Sequence, residues 1–561
     1  MDPSKKSGSR AFIIAVCALP AVLVIVQGLW LHMINAGLGF GLPIDDAYIF
    51  MRYADNIAEG HGFSFNPGET SFGSTSILWT LVLAFIYKVF FFSGNAVLSF
   101  WTGVVMYAVA VSLSSWSVVR VTGRPLAGLF AGTLMAGSVA LFMNAVSGME
   151  PPLTMLLLSV LALLILMENP HFFSAGLVAG LLTVTRPEGA YFAGGAIISW
   201  AILAILSRGA RMPLKKLLLF VAGWAVFAVP AGAIIYAYTG HVLPGTYLGK
   251  ILSTDPGVLE RGLSERTVWA LFSLGGGWER LAAPLRVLGV LAGLGCLVMV
   301  IKGLWSARRD KSEFPSFGVV LLFGYLFLPA AYGFSFPVGP PFGGYYHRYI
   351  APVQMVAIIL GTVGIWEAAG YMAGRLGVSG RRRMVSAAVL VLAAFIYLGR
   401  LWWPSISDGK HVFKQEVRLN TGIRMEAAHW LRNNTPEDAR IMVGHTGLGV
   451  VGGLSERYVL DLGALINPDI FEYYKGTSSV PKKRWPSVVR YMKDRDISYY
   501  VTFAFPPERS DLFPDPAETD GIREIARLGT KGVPTTPYEQ VRIYSVDLHE
   551  QSLGNDTENE N

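Results

Sequence analysis

Two adjacent carboxylates, Asp45-Asp46, open the densest run of reactive side chains in the sequence. Tyr48, Arg52 and Asp55 follow, then Gly60-His61-Gly62 and Asn66-Pro67-Gly68-Glu69. The pair stands just beyond the first long apolar run, Ala11 to Met33. At a membrane boundary the dielectric falls, a carboxylate resists ionisation, and its raised pKa suits it to take a proton as a general base. Paired carboxylates can equally hold a cation. The structural alternative is that Asp45 caps a helix starting near Asp46.

Other charged groups mark the ends of apolar runs. Glu150 opens one after a short turn, either as a site carboxylate or as a helix-start charge favoured by the dipole. Arg186 ends another, where an unpaired guanidinium would cost several kcal/mol, so it needs a partner such as Glu188 or a lipid phosphate. Lys250 offers a point charge for a phosphate or, alternatively, a snorkelling interfacial amine. Arg348, beside His347, has the forked donor geometry that suits phosphate; His347 alone reads as structural.

The elements that must position these groups are set by composition. Hydrophobic residues make up 52% and charged residues 15%, with mean hydropathy +0.45, so the bilayer is the main solvent. Apolar runs fall at roughly 11–33, 96–119, 125–143, 151–168, 172–185, 189–207, 217–237, 284–303, 317–335, 349–370 and 385–403. With these spans the Lys/Arg clusters at 5–10, 120–124, 208–216, 302–311 and 375–383 share one face, which puts the N-terminus in the cytoplasm. The first run is long for a signal peptide and lacks a small-residue cleavage site, so it reads as a retained span. Counting Ser76 to Phe92 as a span would invert the later topology, so it is expected to be re-entrant or interfacial. The helical spacing of Ile49, Tyr53 and Ile57 predicts an amphipathic helix on the membrane surface. Net charge is +7, but the basic residues sit between apolar runs as topology signals, and no nucleic-acid site is expected. Cys17 and Cys296 both lie in apolar runs, and no disulfide is expected.

The fold expected is an α-helical polytopic membrane protein of about eleven transmembrane helices over 1–403, with a first outer loop at 34–95. A soluble α/β domain follows at 404–550 on the periplasmic or extracellular side, then an acidic disordered tail at 551–561. Within the domain, Arg418 to Arg432 has helical periodicity, whereas Arg440–Val443 and Arg457–Asp461 read as strands.

The string Asp45-Asp-Ala-Tyr-Ile49, with Arg52-Tyr-Ala, Gly60-His-Gly-Phe-Ser-Phe-Asn-Pro-Gly-Glu69 and Gly73-Ser-Thr-Ser-Ile-Leu-Trp79, resembles the first outer loop of GT-C-type glycosyltransferases. The likeness is to the branch containing the mycobacterial terminal arabinofuranosyltransferase. Ser147–Glu150, Thr185–Gly189, Tyr346–Tyr349 and Asn434–Arg440 carry it along most of the chain. The resemblance implies transfer of a sugar from a polyprenyl-phosphate donor to a cell-envelope glycan, glycolipid or protein outside the cytoplasm, in an inner or plasma membrane. It implies a catalytic aspartate at Asp45 or Asp46, and donor-phosphate contacts from Arg186, Lys250, His347 and Arg348. Tyr48, Arg52, His61, Glu69, Glu150 and Glu188 are the acceptor or supporting candidates. Some relatives need Mg or Mn, for which Asp46 and Glu150 are the candidate ligands. The competing readings are a lipid-linked sugar transporter or flippase, a surface-polysaccharide polymerase or ligase, and a non-catalytic scaffold. No inverted repeat supports the transporter. A glycine-rich phosphate loop of the soluble nucleotide-sugar kind is not seen.

Overall fold

The computed structural model describes residues 3–91, 94–165, 171–187, 189–190, 193–195, 197–198, 214–240, 348, 351–375, 407, 409–444, 447–477, 480–504, 513–529 and 540–548. In chain order these form α1 (Pro3–Ala36), α2 (Asp45–Glu59), α3 (Ile77–Val89), α4 (Asn95–Thr122), α5 (Pro125–Ala136), α6 (Val139–Ala145), α7 (Pro151–Ile165) and α8 (Phe172–Thr185). Next come α9 (Leu214–Thr239), α10 (Ala351–Arg375), α11 (Met425–Asn434), β1 (Arg440–Val443), β2 (Tyr458–Asp461), α12 (Ile470–Tyr474) and α13 (Pro481–Asp494). Strands β3 (Tyr499–Phe503), β4 (Ile522–Gly529) and β5 (Gln540–Val546) complete the series. The chain divides into two compact units: Met1–Met33, Phe100–Ile234 and Pro256–His411 form the first, and Ile34–Ser99, Ile235–Asp255 and Val412–Asn561 the second.

The first unit is helical, and its helices meet where side chains are small. Gly132 of α5 lies against Pro20 of α1 and Ser115 of α4, and Gly28 of α1 lies against Val104 of α4. On α8, Gly176 lies so close to the Phe220 carbonyl of α9 that a Cβ there would stand 2.1 Å from its oxygen. Such contacts let backbones approach where lipid gives no hydrophobic drive between helices. Serines on α4 supply polar links: Ser114 pairs with Ser159 of α7 at 3.1 Å, and Ser112 donates to the Cys17 carbonyl at 3.0 Å.

Among the described residues, Ala11–Ala36, Asn95–Thr122 and Leu214–Tyr238 are long and apolar enough to cross a bilayer. The pair α5 and α6, bent by 66°, adds a fourth candidate, where the sequence reading had one span at 125–143. The apolar segments expected at 284–303, 317–335 and 385–403, and most of 189–207, lie outside the described residues, so the three or four spans are a count of the described residues alone. At about 1.5 Å per residue, the 13 residues of α3 fall short of a roughly 30 Å hydrocarbon core, as the interfacial reading requires. Its Leu81 and Phe85 are exposed.

The second unit is built on a five-stranded sheet of order β2-β1-β3-β5-β4. Strand β1 is parallel to β2 and β3, whereas β5 is antiparallel to β3 and β4. Alternating side chains feed two cores, as the period of two demands. Ile441, Val443, Val459, Val501 and Ile543 face a layer containing Ile49 and Tyr53 of α2, Phe65, Ile423 and Leu431. Met442, Leu460, Tyr500 and Tyr544 face Trp485, Val488 and Tyr491 of α13.

Two expectations change here. Helix α2, which the sequence places on the membrane surface, is buried on most of its circumference and packs into the sheet domain, because Ile49 and Tyr53 find apolar partners there rather than in lipid. The helix read at Arg418–Arg432 is interrupted over Asn420–Arg424, where Gly422 has non-helical torsions, and resumes as α11 up to Asn434. Pro436, two residues past its end, fits this stop, since proline disfavours helix before it.

Candidate active site

The head of α2 carries the carboxylate pair. Ile44 is the N-cap and makes no side-chain cap bond, so Asp45 does not cap the helix it begins. Its carboxylate instead accepts the backbone N–H of Gly449 at 2.9 Å on one oxygen and that of Val450 at 2.9 Å on the other. Arg424 lies 4.0 Å away. The receiving segment, Leu448–Gly452, is the helical turn that follows β1, and its free N–H groups favour an anion. Two glycines admit the contact: Gly447 sits at φ +108°, and a Cβ on Gly449 would lie 1.9 Å from the Asp45 carbonyl oxygen. We expect Gly449→Ala to displace α2 and lower the melting temperature of the purified protein by several degrees; an unchanged melting curve would mean that the contact carries no stability.

Burial pushes the Asp45 carboxyl above the usual range, and Asp46 adds to this, against Arg424 and the two N–H groups. Asp46, its neighbour in the first turn, is half-buried. The other first-loop candidates bind the loop to the sheet. The Tyr48 hydroxyl accepts from Leu42 N–H at 2.9 Å, and Arg52 Nε donates to the Phe65 carbonyl at 3.1 Å. Glu69 accepts from the Tyr458 hydroxyl at 2.6 Å. His61 is exposed, 3.6 Å from Glu59. Sequence reasoning missed Asn66, whose amide both donates to and accepts from the backbone of Val459 and so covers the edge of β2.

Further along α2, burial and Glu59 raise the Asp55 carboxyl to about 7, against Arg52 and the donated hydrogen bond from Asn95. An unfolded aspartate titrates near ~3.9, so the folded chain holds this proton more tightly and loses stability as pH climbs from about 4 to about 7. The melting temperature is expected to fall across that window in the wild type. Asp55→Asn, which keeps an oxygen for Asn95, should flatten the decline; parallel pH profiles would contradict this.

The first unit holds a second cluster. Helices α7 and α8 run as an antiparallel hairpin, which brings Glu150, just before α7, to Arg186, at the C-cap of α8. Arg186 Nη1 donates to Glu150 Oε1 at 2.6 Å, and both side chains are buried. Each charge also complements the dipole of its own helix end. The sequence reading had Glu188 or a phosphate as the partner; among the described residues Glu150 is a partner, because the hairpin juxtaposes the two ends, and Glu188 lies outside them. Glu150 Oε2 is buried with no hydrogen-bond partner among the described residues, an acceptor held ready inside the protein. Arg348 is half-buried just before α10, whereas Glu188, Lys250 and His347 lie outside the described residues. Among the described residues no three His, Cys, Asp or Glu side chains gather as a metal site.

A family described as a domain of unknown function (DUF8728) matches residues 411–545. No curated protein matches the chain. Among solved structures, ArnT from Cupriavidus metallidurans bound to undecaprenyl phosphate is similar, with 13% identity over 93% of this chain and 97% of that one and a TM-score of 0.51. The oligosaccharyltransferase AglB from Archaeoglobus fulgidus, in complex with an inhibitory peptide and a dolichol-phosphate, shares 12% identity over 90% of this chain and 70% of its own, at a TM-score of 0.48. The mycobacterial arabinofuranosyltransferase AftD shares 15% identity over 96% of this chain and 41% of its own, at 0.39. The likeness to ArnT shows the fold. That fold is the one the first-loop resemblance implies, and the apolar helices support the membrane protein expected from it.

Proposed function

We propose that the protein is a glycosyltransferase that moves a sugar from a polyprenyl-phosphate donor to a cell-envelope glycan, glycolipid or protein on the non-cytoplasmic face of an inner or plasma membrane. The observation that carries this reading is the carboxylate pair at the head of α2, on a chain that shares the fold of a protein bound to undecaprenyl phosphate. Within the pair the duties divide. Both Asp45 oxygens accept backbone N–H groups, which supports reading Asp45 as the positioning residue and Asp46 as the base. Asp46 takes the proton of an acceptor hydroxyl, the oxygen attacks the anomeric carbon, and the bond from that carbon to the phosphate oxygen breaks. The electron pair leaves on polyprenyl phosphate, whose charge calls for cationic groups. Arg186, Lys250, His347 and Arg348 are the candidates for that task, and Glu150 is the candidate acceptor-side carboxylate. Mg or Mn stays a candidate cofactor, and no step above depends on it.

The reading is tested by giving the purified protein in proteoliposomes a panel of polyprenyl-phosphate sugars and following free polyprenyl phosphate. Acceptor-dependent release is the expected result. Movement of intact donor across the bilayer without release would make the protein a transporter.

A further inference from the structure

Arg424 belongs to no motif in the sequence, yet the fold of the second unit brings it to the carboxylate pair. It ends the interruption at Asn420–Arg424, a wide helical turn in which Gly422 has φ −92° and ψ −112°. Single wide turns of this kind recur at functional sites, and unusual torsions persist where the surroundings hold them. The guanidinium here is held from three sides. Its Nη1 donates to Asn420 Oδ1 at 2.6 Å, its Cζ stands 5.5 Å from the centre of the Phe503 ring at the end of β3, and Nη1 lies 4.0 Å from Asp45 Oδ1. Asn420, fully buried, carries the connection further: its Nδ2 donates to the Leu42 carbonyl at 2.8 Å, on the chain that enters α2. Asn420 thus sets the guanidinium against that chain.

The charge counts because both partners are shielded. The Arg424 and Asp45 side chains are 14% and 13% exposed, so water and salt weaken their attraction far less than they would at a surface pair. The two backbone N–H groups of Gly449 and Val450 bind Asp45 best as a carboxylate, whereas burial and the neighbouring Asp46 work against that charge. Arg424 is the cation that opposes them. It also faces Glu416, whose carboxyl burial pushes up and Arg424 draws down. Without the guanidinium, Asp45 would grip the turn less firmly, and the head of α2, with Asp46 in it, would be free to shift.

We propose that Arg424 is a positioning residue of the active site, holding Asp45 on the Gly449 turn so that Asp46 keeps its place; the catalytic consequence rests on the transferase reading, and the positioning itself does not. The test uses the full chain in nanodiscs. In Arg424→Met, hydrogen exchange of the peptide carrying Gly449 and Val450 is expected to speed up about tenfold, the factor for one lost interaction with a charged group, while β3 exchanges as in wild type. With a donor that wild type uses, kcat should fall about 10²-fold, the cost of a shift on the order of 1 Å at the reacting groups, with donor KM unchanged. Arg424→Lys keeps the charge and gives up the fork, so it should melt as wild type does and recover part of both losses, which a packing role would not produce. In an Asp45→Asn background, Arg424→Met should change kcat by about twofold or less, because the charge it acts on is gone. Unchanged exchange at Gly449 and Val450, additive losses in the double variant, or a stable Arg424→Lys as impaired as Arg424→Met would overturn the proposal. So would a raised donor KM at wild-type kcat, which would make Arg424 a donor contact. A wild-type chain that transfers sugar from no donor sinks the transferase reading, and hydrogen exchange then decides the positioning alone.

Discussion

Asp46→Asn is expected to lower kcat by about 10²–10⁴-fold, the span that general-base catalysis typically supplies, with donor affinity and melting temperature close to wild type. The side chain is half-buried and the exchange is isosteric, so the fold is expected to hold. Asp45→Asn should behave differently. Asparagine offers one acceptor oxygen where the carboxylate satisfies Gly449 and Val450 with two, so one N–H loses its partner and an amide N–H₂ faces the donors. The cost is about 1–3 kcal/mol, read as a lower melting temperature together with a partial loss of kcat. If Asp45→Asn abolished transfer at full stability while Asp46→Asn stayed active, the duties of the two residues would be exchanged.

The second large effect is expected at Glu150. Truncating it to Ala leaves Arg186 buried without its 2.6 Å partner, and breaking a buried ion pair from one side costs about 3–5 kcal/mol. Recovery of folded Glu150→Ala protein from membranes should therefore collapse. Replacing both residues by leucine removes the buried charge as well, and folded yield should return toward wild type. The double variant then reports function separately: folded but inactive protein gives the pair a part in the reaction, whereas folded and active protein makes it structural only.

The sequence made the membrane class, the α/β domain and the carboxylate pair legible, each for a physical reason. Apolar runs, the strand-like Arg440–Val443 and the charges at a span's edge are local signals. What stayed hidden is long-range. Asp45 meets Gly449 across 404 positions, and no periodicity in either segment points to the other. The two glycines Gly447 and Gly449 are the local sign in the sequence that an outside group approaches that turn, and the φ of +108° at Gly447 comes from the structure alone. Helix α2 was misplaced for the same reason, since its apolar face fits lipid and the sheet core equally well by composition. The Glu150–Arg186 pair was within reach: opposite charges at the two ends of a predicted hairpin are bound to meet once α7 and α8 pack antiparallel. Strand β4, by contrast, alternates buried and exposed residues but carries Arg523, Glu524 and Arg527, so its charge masked its period.

The central claim is group transfer from a lipid-phosphate sugar, and the measurement that reaches it most directly is the fate of a radiolabelled sugar in sealed proteoliposomes. Wild-type protein is given a panel of labelled polyprenyl-phosphate sugars together with envelope acceptors, beside Asp46→Asn. The account predicts that label from at least one donor becomes covalently attached to acceptor with wild type and stays on the lipid with the variant. Label that remains on the lipid in both cases, or reaches acceptor equally in both, would contradict it.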